Sequence, residues 1–350
     1  MKLYFIWHAN HNLASEYTWD NEMTEIQSIN PDKIIIFCME EFDVEYIFRN
    51  LFPKIVAWCN NNDKYADLIA PGRGAITVDR ITMHESIGHL LWSASLLESY
   101  PIRSTYITDP SENISKLYTC YNHNVKIERA KLVDRLARDN LLDLGTVTLH
   151  YAERYSEVHD FKWQYHDGST LVDEPDYTIT LNQNSSIVPA RQFFQGYFDV
   201  TTESSYSPNM FLMSEKCTKN IATLRPFIVL SCKGFHYDYM VKRLGFELYD
   251  ELFDYSFDNC DSLDDRIEGI VANVNRLKYE LNTKSKRDSM YKKIARKLAK
   301  NHANLRDILH NKELVIPECL KFMTETDDYE IYGFTNPPII NHMRNREWIK

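Results

Sequence analysis

Short, continuous apolar runs alternate with segments of helical periodicity in the first third of the chain. Residues 3–7 and 33–39 (KIIIFCM) are uninterrupted apolar runs, which are typical of buried parallel strands. Residues 44–51 have the pattern of a helix that follows the second strand, and 55–59 form a third strand candidate. The strongly apolar stretch 86–97 is predicted to be a helix. This alternation favours a first α/β domain built on a parallel sheet.

The same alternation returns after residue 115. The pattern predicts a strand at 117–121, a helix at about 127–142, a strand at 197–202, a helix starting at Ser214, a strand at 226–230, a helix at about 236–243 and a short strand at 246–249. This β-α-β-α-β order predicts a second parallel sheet with helices on both faces. We therefore expect an α/β fold with two Rossmann-like domains.

A polar stretch separates the two predicted domains. Residues 109–115 (DPSENIS) follow a strand-like segment and contain a proline, which places a boundary there. Near the other end, residues 278–309 contain neither Gly nor Pro and are rich in good helix formers. We predict an N-terminal domain at 1–110, a second domain at 111–275 and a basic helical extension at 276–350.

Charge is unevenly distributed along the chain. The 350 residues carry 40 Lys and Arg against 50 Asp and Glu, a formal net charge of −10, which by itself argues against a nucleic-acid partner. Residues 250–268, however, hold eight acids and one base, whereas 276–310 hold eleven bases and three acids. The second stretch has a net charge of +8, so the remainder of the chain has a net charge of −18. The net charge of the whole chain therefore does not exclude a polyanionic partner.

The cysteines and histidines give no metal or disulfide pattern. Seven cysteines are widely spaced without a C-x-x-C pair, so neither a disulfide framework nor a cysteine-based zinc site is expected. His84 and His89 are five residues apart, which is the wrong spacing for an H-E-x-x-H zinc site. The opening apolar run is too short for a signal peptide, and nothing is long enough to span a membrane. We expect a soluble cytoplasmic protein.

The segment after residue 213 suggests a phosphate site. Ser214 is a good helix N-cap, because its hydroxyl can accept a hydrogen bond from a free backbone N–H. Glu215 and Lys216 then lie in the first turn, and Lys219 lies one turn after Glu215. The dipole and free N–H groups at a helix N-terminus attract phosphate, so the two lysines suggest a diphosphate cradle. The alternative is a capped surface helix with an i, i+4 Glu–Lys pair.

A family resemblance begins at this segment. Residues 214–258 (SEKCTKNIATLRPFIVLSCKGFHYDYMVKRLGFELYDELFDYSFD), followed by DDRIEGI, resemble phage-encoded glycosyltransferases. The Glu-Lys element is also similar to the donor-binding segment of fucosyltransferases. A second block, 117–124 (LYTCYNHN) with Arg129 and 140–145, looks like the element that opens the donor domain of that family. Together the blocks lie within 117–149 and 197–275.

The resemblance implies a GT-B architecture, in which two Rossmann-like domains face a cleft. Residues 1–110 would be on the acceptor side, and 111–275 would bind the nucleotide-sugar, with a UDP-sugar favoured. Arg129, Lys216 and Lys219 would neutralise the diphosphate, Glu215 would hold the ribose, and Asn122 and Ser214 would belong to the same site. No Asp-x-Asp triplet occurs in the sequence, so a metal-independent glycosyltransferase is expected without a tightly bound cofactor.

An acceptor hydroxyl needs a general base if the transfer inverts the anomeric carbon. His8, Glu40 and Glu41 are the candidates, because they follow the first two predicted strands. A hydrogen-bonded structural histidine is the alternative for His8. A retaining reaction needs no such base.

The basic stretch suggests the acceptor. Six side chains form a candidate nucleic-acid surface: Lys284, Lys286, Arg287, Lys292, Lys293 and Arg296. The alternative is a solvated helix that packs on the rest of the chain. The first interpretation favours double-stranded phage DNA containing 5-hydroxymethylcytosine as acceptor. A surface glycan acceptor, or a non-catalytic nucleic-acid-binding protein on a degenerate Rossmann-like scaffold, remain as alternatives.

Overall fold

The computed structural model describes residues 1–8, 19–38, 52–70, 76–85, 114–122, 126–149, 161–166, 195–203, 206, 211–333 and 338–349. Strands and helices alternate in the first part of the chain. They are β1 (Lys2–His8), α1 (Trp19–Ile29), β2 (Lys33–Cys38), α2 (Phe52–Asn62), β3 (Ala66–Ala70), β4 (Ile76–Val78) and β5 (Ile81–Glu85). The helices predicted at 44–51 and 86–97 lie outside the described residues.

The middle of the chain follows the same alternation. Its main elements are β6 (Lys116–Asn122), α3 (Ile127–Arg138), β7 (Gly145–Leu149), β8 (Gly196–Thr202), α4 (Glu215–Ala222), β9 (Phe227–Leu230), α5 (Leu263–Glu280) and α6 (Lys284–His310). A π-helix covers Phe235–Arg243, and short 3-10 helices cover Leu142–Leu144 and Ser256–Asn259. The predicted strands at 117–121, 197–202 and 226–230 are confirmed, as is the helix that starts after Ser214.

The last part of the chain returns to the first sheet. It contains α7 (Lys312–Val315), a 3-10 helix at Glu318–Thr324, β10 (Glu330–Gly333) and α8 (Pro338–Asn345). The chain forms two compact units. The first unit comprises Met1–Ser95, Asn209–Leu212 and Ile308–Lys350, and the second comprises Leu96–Pro208 and Met213–Asp307. The segment 276–350, predicted as one helical extension, is therefore divided between the units and includes a strand.

The first unit is built on a six-stranded sheet in the order β10-β1-β2-β3-β5-β4. All neighbours are parallel except β4 and β5, which are antiparallel. The strands predicted at 3–7 and 33–39 are confirmed as β1 and β2, which pair from Leu3 with Lys33 to His8 with Cys38. Side chains of α1 and α2 pack on this sheet and bury Tyr4 and Ile36 in the main core of the unit.

The strand predicted at 55–59 is wrong, because these residues belong to helix α2. Their apolar positions also fit a helix: Phe52, Ile55, Trp58 and Cys59 are spaced by three, three and one residues and are all buried. The third strand of the sheet is instead β3, and Leu68 and Ile69 within it are fully buried. The short apolar run was ambiguous between the two periods.

The second unit is built on a four-stranded sheet in the order β7-β6-β8-β9, and every pair is parallel. On one side, Ala130 and Val133 of α3 pack against Leu149 of β7, and α3 also contacts α5. Helix α4 packs against β8 and β9. The expectation of an α/β fold with two largely parallel sheets is confirmed.

The strand predicted at 246–249 is wrong, because this segment pairs with no strand of the described sheets. Its backbone groups bond to amide side chains of α6. Asn301 accepts from Glu247 N–H at 2.8 Å and donates to Glu247 O at 2.8 Å. Asn304 donates to Leu244 O at 2.7 Å. The helix amides thus take the place of a neighbouring strand.

Candidate functional site

The strand order of the second sheet identifies where a ligand is expected. The chain goes from β6 outward to β7 and then crosses back to the other side of β6 with β8. Ligands of open α/β sheets bind beyond the carboxyl ends of the strands at such a reversal. The two strands end here in polar residues, and Thr202 Oγ1 donates to Asn122 Oδ1 at 2.6 Å. Asn122, one of the predicted site residues, therefore lies at the reversal.

Helix α4 begins at the same edge of the sheet. Ser214 is its N-cap, as predicted, and its Oγ accepts from Lys216 N–H at 3.3 Å. Lys216 Nζ lies 3.5 Å from the same oxygen, so the ammonium group lies at the first turn. Lys216 and Lys219 are both half-buried. The side chain of Glu215, the predicted ribose ligand, lies outside the described residues.

Glu203 connects the end of β8 to the start of α4. Its Oε1 accepts from Ser214 N–H at 2.9 Å and from the Cys217 thiol at 2.9 Å, and its side chain is fully buried. Burial, followed by the nearby Glu203 charge, raises the pKa of Cys217 well above its ordinary value. A protein carboxylate thus already engages one backbone donor that the sequence interpretation assigned to phosphate. Nothing in the local sequence identified Glu203.

Arg129 lies in the first turn of α3 and is 3 % exposed. Its positive charge acts on Cys120, whose sulfur accepts from Asn122 Nδ2 at 3.3 Å. Burial nevertheless raises the pKa of Cys120 to about 12, so this thiol is protonated at neutral pH. Arg129 and Asn122 therefore both act on one buried cysteine.

A buried polar network lies under this edge, between β8 and α4. Asp199 accepts hydrogen bonds from Thr119 at 2.5 Å, Thr201 at 2.6 Å and Asn220 at 2.9 Å. Arg225 donates to Thr119 at 2.8 Å, and burial lowers the pKa of its guanidinium. Sequence reasoning missed this network. Its signal was the pair of polar residues at alternate positions of β8, Asp199 and Thr201.

Two parts of the segment that resembles phage glycosyltransferases, Gly234-Phe235 and 254–258 (DYSFD), meet in the structure. Gly234 has φ +79° and precedes the π-helix. Asp258 accepts from the backbone N–H groups of His236 at 3.0 Å and Tyr237 at 3.1 Å, and its Oδ1 lies 2.9 Å from His236 Nδ1. Burial opposes the charge, but these bonds lower the pKa of Asp258 below its ordinary value. In the described residues, this motif therefore fixes the start of the π-helix.

The predicted catalytic bases are only partly described. His8 ends β1 and pairs with Cys38 of β2, but its side chain lies outside the described residues. Glu40 and Glu41 also lie outside them. The assignment of a general base stays a prediction.

The basic helix α6 is partly neutralised by the acidic segment that precedes it. Lys297 pairs with Glu251 at 2.8 Å and with Asp250 at 3.2 Å. Arg296, a predicted nucleic-acid ligand, pairs with Glu247 at 3.0 Å. The opposite charge blocks of the sequence thus meet in space.

The other predicted nucleic-acid ligands differ in their surroundings. Lys286 donates to the Asn282 side chain at 3.0 Å, and Arg287 is half-buried. Lys284, Lys292 and Lys293 are exposed, and none of them makes an ion pair within the described part of the chain. These three lysines are the part of the predicted surface that remains open to a partner.

Among the described helices, none combines the length and the apolar character that crossing a membrane requires. No protein-family model, curated protein or solved structure matches the chain. The geometry and the sequence therefore carry the functional argument alone.

Proposed function

We propose that this protein is a nucleotide-sugar-dependent glycosyltransferase of the GT-B type, and that the second unit binds the donor. One observation carries the proposal: the strand reversal between β6 and β8 coincides with the N-terminus of α4. Asn122 and Thr202 mark the reversal, and Ser214 and Lys216 mark the helix start. The resemblance of 214–258 to phage glycosyltransferases supports the choice of a sugar donor over other nucleotides.

Positive groups around the start of α4 favour a diphosphate there, although the Glu203 carboxylate already accepts from Ser214 N–H. Lys216 supplies an ammonium group at the first turn, and the helix dipole adds partial positive charge. Lys219 follows one turn later. Arg129 is 3 % exposed and its charge acts on Cys120, which Asn122 also contacts, so in the proposed site it adds positive charge from within the unit. Such positive groups stabilise the leaving diphosphate as the glycosidic bond to the donor breaks.

Nucleotide binding tests the proposal. We expect UDP, or else GDP or CMP, to raise the melting temperature of the full chain. The increase should grow with the concentration of the nucleotide and with its affinity. Lys216→Ala is expected to weaken that binding about tenfold, the loss of one charge-assisted contact. Lys242→Ala is the matched control, because Lys242 is exposed and its one ion pair among the described residues is with Asp238 in its own helix.

Two results would contradict the donor site. The first is that none of the three nucleotides shifts the melting temperature of the wild-type protein. The second is that Lys216→Ala and Lys242→Ala bind nucleotide equally well.

For the acceptor, we propose 5-hydroxymethylcytosine in phage DNA, on the basis of the exposed Lys284, Lys292 and Lys293. Removal of positive charge from a phosphate-binding surface weakens binding and reduces its dependence on salt. We therefore expect K292A/K293A to lower affinity for modified duplex and to flatten the plot of log affinity against log salt. A salt-insensitive interaction, or none, favours a glycan acceptor instead.

A further inference from the structure

Three metal-ligating side chains from distant parts of the sequence meet in the first unit. Asp67 belongs to β3, His84 to β5, and Cys319 to the 3-10 helix Glu318–Thr324. One ligand atom of each lies within 4.8 Å of the other two. Cys319 is far from the other two residues along the chain, so no motif of closely spaced ligands predicts the cluster.

Asp67 is the centre of the cluster. Its Oδ1 lies 2.7 Å from His84 Nε2, and its Oδ2 forms an ion pair with Lys33 of β2. The side chain of Asp67 is 8 % exposed and that of His84 is 14 % exposed. The two carboxylate oxygens thus have different partners, and Oδ1 is the one in contact with His84.

We propose that Asp67, His84 and Cys319 form a zinc site with three protein ligands and one open position. Carboxylate, imidazole and thiolate are the three side-chain ligand types that Zn²⁺ uses. Zinc ligands at about 2.0–2.3 Å stand roughly 3.5 Å apart in a tetrahedron, so shifts of about 1 Å convert the observed cluster into a coordination shell.

The partner on the far side of Asp67 fits this arrangement. With Oδ1 on the ion, Lys33 retains Oδ2 and orients the carboxylate, as outer partners of metal ligands do. Cys319 is 7 % exposed, and burial followed by the Asp67 charge raises the pKa of its thiol far above the ordinary value. Zinc reverses this effect, because the S–H bond breaks, the sulfur keeps the electron pair and binds the ion, and the proton leaves to solvent.

The competing explanation is a metal-free polar cluster that merely stabilises the unit. In that case Asp67, His84 and Lys33 satisfy one another, and Cys319 is a small buried hydrophobic residue beside them. The two explanations differ in what happens when Cys319 loses its sulfur. Only if the sulfur binds a metal ion does its removal change the absorption spectrum of that ion.

Cobalt(II) titration of the chelator-treated full-length protein tests the site. We expect one equivalent to bind with the near-ultraviolet absorption of a cobalt–thiolate bond, and one equivalent of zinc to displace it. Cys319→Ser should abolish this absorption, and His84→Asn should weaken binding about 100-fold or more. Cys260→Ser, which changes a partly exposed thiol outside the cluster, should leave both unchanged.

Asp67→Asn keeps the shape of the site and is measured in parallel, with circular dichroism confirming that each variant is folded. Elemental analysis of protein purified without chelators gives a second readout, with one zinc per chain expected. Absence of the thiolate absorption in the wild type, or equal absorption in Cys319→Ser, would overturn the proposal. Nucleotide binding by the second unit is measured separately and does not depend on the result.

Discussion

Buried carboxylates in the second unit are each surrounded by several donors. Asp199 accepts from two hydroxyls and one amide, Asp258 from two backbone N–H groups and a histidine, and Glu203 from a backbone N–H and a thiol. An ionised carboxylate is costly to bury unless it is paired or hydrogen-bonded in this way. Each of these groups therefore fixes the elements that supply its donors.

Asp258→Asn is expected to lower the free energy of unfolding at pH 7 by about 3 kcal/mol, because an amide N–H₂ group replaces one of the accepting oxygens. The pKa of Asp258 is lower in the folded state than in the unfolded state. Its stabilisation is therefore complete above the unfolded value of about 3.9 and is lost as pH falls through the folded value.

Urea unfolding at a series of pH values checks this. The difference between wild type and Asp258→Asn should narrow below about pH 4. Asp264→Asn, at an exposed surface pair with Lys131, should cost less than about 1 kcal/mol at any pH. A difference that stays constant from pH 7 to pH 3 would contradict the role given to the Asp258 charge.

Sequence reasoning succeeded for individual residues where the determining contact is local. Ser214 was predicted as a helix N-cap because the capping bond joins residues two apart. Glu203 was not found, because its two donors are eleven and fourteen residues away and depend on how α4 packs on β8. For the same reason, Asp67 and Cys319 carried no signal in the sequence.

At the scale of elements, side-chain amides replace a strand. The segment 245–249 contacts α6 through Asn301, which is 1 % exposed and also donates to Tyr249 Oη at 3.2 Å. A second amide, on Asn273 of α5, accepts from the N–H of Asp254 and donates to its carbonyl, both at 2.8 Å. In each case one side chain holds a helix to a segment outside the described helices and strands.

Asn301→Ala is expected to lower the free energy of unfolding by about 2–3 kcal/mol, because it leaves both backbone groups of Glu247 without their amide partner. Asn304→Ala is the matched control on the same helix. It removes one bond to Leu244 O at a half-buried position, so a loss of about 1 kcal/mol is expected. Denaturant unfolding measures both, and equal losses would argue against the two-sided role of Asn301.

The predicted strands were wrong where the same residues are compatible with more than one structure. Residues 55–59 are apolar enough for a strand, yet the buried set Phe52, Ile55, Trp58 and Cys59 follows the helical period over a longer window. Residues 246–249 have the apolar composition of a strand but belong to neither described sheet, because tertiary partners decide whether such a segment joins a sheet. Long-range pairing of this kind is not encoded in local periodicity.

At the scale of the molecule, the sheet of each unit contains a glycine at which two paired strands approach closely. Gly333 in β10 has φ +70°, and a Cβ there would lie 2.4 Å from Phe5 O of β1. Gly196 in β8 would place a Cβ 2.5 Å from the carbonyl carbon of Tyr118 in β6. Gly333 belongs to the first sheet and Gly196 to the second, so the two sheets can be perturbed separately.

Hydrogen exchange read by mass spectrometry tests this pair. Gly333→Val should accelerate exchange in β1 and β10, and Gly196→Ala should accelerate it in β6 and β8, because the added carbon forces the paired strands apart. Each sheet serves as the internal reference for the other variant. Unchanged exchange in the perturbed sheet would show that the close approach relaxes at little cost.

The placement of β1 between β10 and β2 has a consequence for synthesis on the ribosome. β2 follows β1 closely, but β10 emerges about 300 residues later, roughly 15–60 s at 5–20 residues per second. During that interval one edge of β1 is an open template for pairing with another chain. The second unit, whose strands all lie between, can complete its sheet first. A nascent chain stalled before β10 is therefore the form of this protein that most needs a chaperone.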